Sequence, residues 1–331
     1  MNTIIYLDYF LFQRAPFQIT TDDEFLYLSK QHSKAMAYMD YAVSQPGGFV
    51  IITGEIGAGK TILLKRMIRR FNKKAACINL PFTNLEGKEL FQYVAEEAGI
   101  QANNESKVGL IFAIKKYFYE KINSGRPCVL VIDESQNLTP ENLEDLRMLA
   151  GLDVNNIPLL RVVMLGQPEF MVSVNRSEQL KQRVKLHYHL NGLSEVEVSK
   201  YIDHRLMIAG SKASNIFPPD VVKAIYQYSR GIPRLINKIC DALLLCAFIE
   251  ERRYTLMSDV DEVSDDLMIS KPSDAAAVNN DFISPNDGCL EPGSVANEID
   301  ALDRIMCALE NINKNLEILA KNVKSKKEVD Q

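Results

Sequence analysis

Gly47-Gly-Phe-Val-Ile-Ile-Thr53 runs directly into Gly54-Glu55-Ile56-Gly57-Ala58-Gly59-Lys60-Thr61, and a helical pattern opens at Ile62. An apolar strand, a glycine loop and a helix in that order form a P-loop. Its glycines let backbone N–H groups curl around an anionic phosphate chain, and the following helix turns its positive N-terminal end toward it. Lys60 then reaches the outer phosphates, and Thr61 is placed to ligand Mg²⁺. The expected ligand is a nucleoside triphosphate, bound by residues 54 to 61.

Hydrolysis needs a second part, and Arg126-Pro-Cys-Val-Leu-Val-Ile132-Asp133-Glu134 supplies it. Four apolar residues ending in two acids predict a buried parallel strand that carries carboxylates to the sheet's C-terminal edge. Asp133 is placed to hold Mg²⁺, directly or through water, and Glu134 to orient and deprotonate the attacking water.

Between and beyond these motifs the periodicity alternates as a doubly wound α/β domain requires. Leu63, Leu64, Met67, Ile68 and Phe71 form a helical stripe, and residues 75–80 read as a strand. Two helices follow, marked by Leu90, Val94 and Ala98 and then by Val108, Ile111, Phe112, Phe118 and Ile122. Leu143, Leu146 and Leu149 form another stripe, and residues 159–165 and 185–190 read as strands. The predicted fold is α/β, with a five-stranded parallel sheet, a small helical lid and a C-terminal amphipathic helix.

Residues 1–45 read as a lead segment, 46–192 as the nucleotide-binding core and 193–265 as the lid. The lid opens at a capping-box match, Ser194-Glu-Val-Glu197, with helical patterns through 201–208, 219–228 and 234–249. Residues 266–294, rich in Ser, Asp, Asn, Pro and Gly, read as a flexible linker. In 295–325, Leu302, Ile305, Leu309, Ile312, Leu316, Leu319 and Val323 alternate spacings of 3 and 4. Such a seam suits a coiled coil, a helix docked in a partner's groove or one packed back on its own domain.

Composition narrows the function class. The 331 residues are 47% hydrophobic, but the longest uninterrupted apolar stretch is the eight residues 242–249, too short to span a bilayer. No secretory signal pattern opens the chain, so the expected location is the cytoplasm, or the inner-membrane periphery through partners. Six cysteines, at 77, 128, 240, 246, 289 and 307, lack metal-finger spacing and read as reduced packing residues. The net charge of −5 provides no global pull on nucleic acid. Lys65, Arg66, Arg69, Arg70, Lys73 and Lys74 nevertheless cluster after the P-loop, as a solvated face or as a DNA-phosphate contact in a ring or filament. His187 and His189 share a face of one predicted strand, where strand packing is favoured over metal.

Residues 6 to about 265 resemble the AAA+ ATPases of the ExeA/GspA secretion type. Tyr9-Phe-Leu-Phe-Gln-Arg-Ala-Pro-Phe17 and Asp23-Glu-Phe-Leu-Tyr-Leu28 resemble that family's lead phrases. Asp133-Glu-Ser-Gln-Asn-Leu138, Leu165-Gly-Gln-Pro-Glu169 and Leu180-Lys-Gln-Arg183 resemble later ones. The resemblance implies that Gln167 acts as sensor 1, positioning water, with a turn residue as the other reading. It implies that Arg183 reaches a neighbour's γ-phosphate as an arginine finger, with a plain surface arginine as the alternative. Gly231-Ile-Pro-Arg234 resembles a sensor 2 motif in which Arg234 leans over bound phosphates, while Arg230 caps a helix end.

The resemblance therefore implies a homo-oligomeric, Mg-ATP-hydrolysing motor or switch in secretion, pilus or envelope export. Its C-terminal helix would meet a protein partner. Residues 266–331 show no membrane span or cell-wall module of the kind that commonly follows in the family. A DNA-associated regulator of the TniB/MuB transposition type is the alternative reading, and a non-hydrolysing scaffold is a third.

Overall fold

A computed structural model describes residues 5–18, 23–80, 85–101, 106–213 and 215–269. The linker and C-terminal helix expected beyond 269 lie outside these residues. The strands are β1 (Phe49–Gly54), β2 (Ala76–Leu80), β3 (Cys128–Ile132), β4 (Asp153–Val154), β5 (Ile157–Pro158), β6 (Leu160–Gly166) and β7 (Val184–Leu190). Five of them form one parallel sheet in the order β2-β3-β6-β1-β7, while β4 and β5 make a small hairpin. Chain order reverses around β1, and the crevice beyond the strands' C-terminal ends at such a point is where open α/β sheets bind ligands.

Side chains alternate across a strand, so each apolar run covers both faces of the sheet. Phe49 and Ile51 of β1, with Leu130 and Ile132 of β3, face one layer. That layer comprises α4 (Glu89–Glu97), α5 (Lys107–Asn123), α6 (Pro140–Ala150), α7 (Phe170–Asn175) and α8 (Glu178–Lys181). Val50, Ile52, Val129 and Val131 face the other, formed by α2 (Lys30–Ser44) and α3 (Lys60–Phe71). The short α1 (Leu7–Phe10) lies in the lead segment.

The lid comprises α9 (Glu195–Ile208), α10 (Pro219–Ser229), α11 (Pro233–Ile249) and α12 (Met257–Asp266). The expected capping box opens α9: Glu197 N–H donates to Ser194 Oγ, and Ser194 N–H donates to the Glu197 carboxylate. The lead segment joins the lid's core. Tyr6, Phe10, Phe12 and Phe17 are buried with Val198, Ile225, Leu243 and Val260. Phe17 meets Phe217 edge-to-face at 5.7 Å, Tyr9 meets Phe248 at 5.3 Å, and Arg205 donates to the carbonyls of Pro16 and Gln18. The chain thus leaves the lid at about residue 25, enters the sheet layers at α2, and returns to the lid after β7.

Candidate active site

The glycine loop bends Lys60 back over its own approach strand. Lys60 is only 6% exposed, and its ammonium donates to the carbonyls of Gly54 at 2.6 Å and Glu55 at 3.0 Å. Burial lowers its pKa, partly opposed by the Glu134, Asp133 and Glu55 carboxylates. A buried cation held by neutral carbonyls at a helix N-terminus favours an anion beside it, which fits a phosphate chain.

A residue that the sequence analysis did not single out braces this loop from α2. His32 is buried; Ser29 Oγ lies 2.7 Å from its Nδ1, and the Ala58 carbonyl lies 3.0 Å from its Nε2. With the proton on Nε2, the ring donates to Ala58 and accepts from Ser29. Burial depresses its pKa and favours that neutral form.

Across the crevice, β3 delivers both acids. Asp133 Oδ2 accepts from the Thr61 hydroxyl at 2.7 Å, and Asp133 Oδ1 accepts from Glu134 N–H at 2.9 Å. One hydroxyl and one carboxylate fit Mg²⁺, which completes its shell with phosphates and water. Glu134 adopts a left-handed backbone, φ 50°, unusual for a residue with a side chain. Its carboxylate accepts from Gln136 Nε2 at 2.6 Å, and Gln136 Oε1 accepts from Gln167 N–H at 3.0 Å. Gln167 follows β6, which pairs with β3 as expected.

The lid closes the crevice from above. Arg234, Pro233, Asn237, Tyr201 and Arg205 share a cavity of about 250 Å³ with the P-loop and Glu134. Arg234 N–H donates to the Gly57 carbonyl at 3.3 Å, and a Cβ on Gly57 would stand 2.4 Å from that of Arg234. Arg230, with φ 51°, caps α10, and its N–H donates to the Tyr226 carbonyl at 2.8 Å. At Gly231, with φ 72°, the chain presses so closely on Leu193 that a Cβ would lie 1.9 Å from the Leu193 carbonyl oxygen.

Residues 43–171 match the family model described as AAA domain. Over 259 residues the chain is 32% identical to general secretion pathway protein A of Aeromonas hydrophila, covering 77% of this chain and 47% of that protein. It carries an AAA-family ATPase domain. Within that family it is related to the secretion protein A type, although it spans about half the length of that curated relative. Solved structures with the same fold include Cdc6p of Pyrobaculum aerophilum, with TM-score 0.60, 15% identity and coverage of 79% of this chain and 73% of that one. ORC2 of Aeropyrum pernix gives TM-score 0.56 at 15% identity, covering 77% of this chain and 72% of that one. Among the described residues, no helix is long and apolar enough to cross a membrane.

Other sequence-selected residues lie outside the lining of the P-loop cavity. Arg183 lies at the opposite end of the sheet. Its carbonyl accepts from Phe49 N–H at the start of β1, while its guanidinium borders Gly151 after α6. Seven residues of β7 separate it from the P-loop edge, about 20 Å of strand, which an arginine side chain cannot cross. His187 Nε2 and His189 Nδ1 both approach the buried Thr53 hydroxyl, at 2.8 and 3.0 Å. They tie edge strand β7 to β1.

Proposed function

We propose that this AAA+ protein binds and hydrolyses Mg-ATP as a homo-oligomer, acting as a motor or switch in bacterial secretion, pilus or envelope export. The observation that carries the reading is the meeting of Lys60, Thr61 and Glu134 around one cavity that Arg234 closes from the lid, with Asp133 held against the Thr61 hydroxyl. Residues 54–61 hold the triphosphate. Thr61 and Asp133 would hold Mg²⁺, which when bound neutralises phosphate charge. Glu134 accepts the proton of the attacking water, Gln167 helps to orient that water, and Arg234 couples lid position to the phosphates.

Arg183, remote from its own P-loop, suits a role at the site of an adjoining subunit. The secretion assignment rests on the 32% identity to general secretion pathway protein A. A cytoplasmic protein, peripheral at the inner membrane through its partners, fits that role. The apolar seam of Leu302 to Val323 serves assembly or partner capture.

Phosphate release and titration with a fluorescent ATP analogue test the core of this reading. Lys60→Ala loses nucleotide binding, whereas Glu134→Gln binds ATP and does not turn it over. Turnover by Glu134→Gln equal to wild type removes the mechanism.

One observation supports the DNA-associated alternative. Lys65, Arg69 and Arg70 on α3, with Lys73 and Lys74 in the next turn, are exposed together, although Arg70 pairs with Asp40 at 2.7 Å. ATP-dependent duplex binding that weakens steeply with salt would favour it over export.

A further inference from the structure

Glu134 enters the site through a left-handed backbone conformation, with its side chain exposed. Its φ of 50° begins a short 3₁₀ turn, residues Ser135–Asn137. Asp133, in contrast, is held at both oxygens, by Thr61 and by the Glu134 N–H. The only side-chain hydrogen bond to Glu134 among the described residues comes from Gln136, at 2.6 Å to Oε2. Gln136 is fixed in turn at its other end, where its carbonyl accepts from the Gln167 N–H at 3.0 Å.

We propose that Gln136 is a positioning residue for hydrolysis, aiming the Glu134 carboxylate and joining it to the end of β6. Both ends of one carboxamide are used. The N–H₂ orders Oε2 of Glu134, leaving Oε1 to accept the proton of water. The C=O locks that arrangement to the strand that ends beside the P-loop strand, so displacement of Gln167 moves the base with it. An amide suits this link because it donates at one end and accepts at the other. Glutamate would retain the acceptor for Gln167 N–H but present a second carboxylate to Glu134.

This inference rests on the proposed hydrolysis by Glu134, so the experiment first compares wild type with Glu134→Gln in the full chain. Loss of turnover in Glu134→Gln with ATP binding intact confirms the base; equal turnover removes both the base assignment and this inference. Gln136→Met, similar in size but without the amide, and Gln136→Glu are then measured for kcat, KM and affinity for the ATP analogue. Loss of a hydrogen bond to a charged group predicts a fall in kcat of roughly ten- to a hundredfold. Affinity stays within about twofold, because Gln136 is not among the residues lining the P-loop cavity and its side chain bonds to Glu134 and Gln167.

Three results would overturn the assignment. One is unchanged kcat in Gln136→Glu; another is a raised kcat in Gln136→Met, which would make the amide a brake. The third is a fall in nucleotide affinity that matches the fall in kcat, which would make Gln136 a structural support.

Discussion

Gly231→Ala is expected to loosen the join between lid and core. The substitution meets two separate penalties. At φ 72° a methyl-bearing residue is strained by about 1 kcal/mol. The new Cβ would also lie 1.9 Å from the Leu193 carbonyl oxygen and 2.7 Å from its nitrogen. Backbone on both sides must move, and overpacking of this kind costs about 1–3 kcal/mol. The total of about 2–4 kcal/mol corresponds to a fall in Tm of about 5–15 °C for a unit of this size.

Gly99→Ala isolates the first penalty. Gly99 has φ 73°, but nothing lies within 4 Å of its missing Cβ. That variant should lose only the strain energy, about 1 kcal/mol, and melt about 2–4 °C lower. Thermal unfolding by circular dichroism measures both. Gly231→Ala should also bind the ATP analogue more weakly than Gly99→Ala, because Arg234 follows three residues after the displaced crossing. If Gly231→Ala melts no lower than Gly99→Ala, the close crossing does not govern the lid.

Arg183→Ala is expected to bind ATP normally but turn over at least about tenfold more slowly, and mixing it with Glu134→Gln should restore part of the activity. Full activity in Arg183→Ala alone would refute the intersubunit role. His32 gives a pH signature: burial depresses its native pKa below the ordinary histidine value of about 6.5, so the unfolded chain binds the extra proton first. Its contribution is therefore present above about pH 6.5 and is lost as pH falls toward the native pKa. The loss of Tm between pH 8 and 5.5 should be smaller in His32→Gln; an identical loss would refute the assignment. Phe17→Ala should destabilise the lid by about 3–5 kcal/mol, read as a lower urea midpoint, because its ring is buried against Phe217. A change below about 1 kcal/mol would place Phe17 outside the lid core.

The P-loop and the acid-tipped strand were legible because each is a contiguous pattern whose geometry follows from its own residues. The last strand was also readable, expected at 185–190 and observed at Val184–Leu190, with Arg183 just before it. Gln136 and His32 were not readable as a relay and a brace. Gln136 acts through the left-handed turn at Glu134, while His32 meets a carbonyl 26 positions later in the chain. The small hairpin did leave a signal: Asn155-Asn156 sits between Val154 and Ile157 with φ 52° and 63°, a pairing suited to a tight β-turn. The pattern of α12 was too thin, with Val260 and Val263 its buried apolar residues among polar neighbours. Lead aromatics read as a family phrase because the helices they pack against come almost 200 residues later.

That packing changes what counts as a separable piece of this protein. An expression fragment trimmed to residues 43–171, the span of the family match, would discard His32 and most of α2 together with Tyr6, Phe10, Phe12 and Phe17. Restoring residues 193–269 without the lead would leave the binding faces for those four aromatics open to water, inviting aggregation. The lead can instead serve as a handle. A fluorophore on Ile5, 63% exposed beside buried Tyr6, would travel with the lid although it sits at the opposite end of the chain from α9–α12.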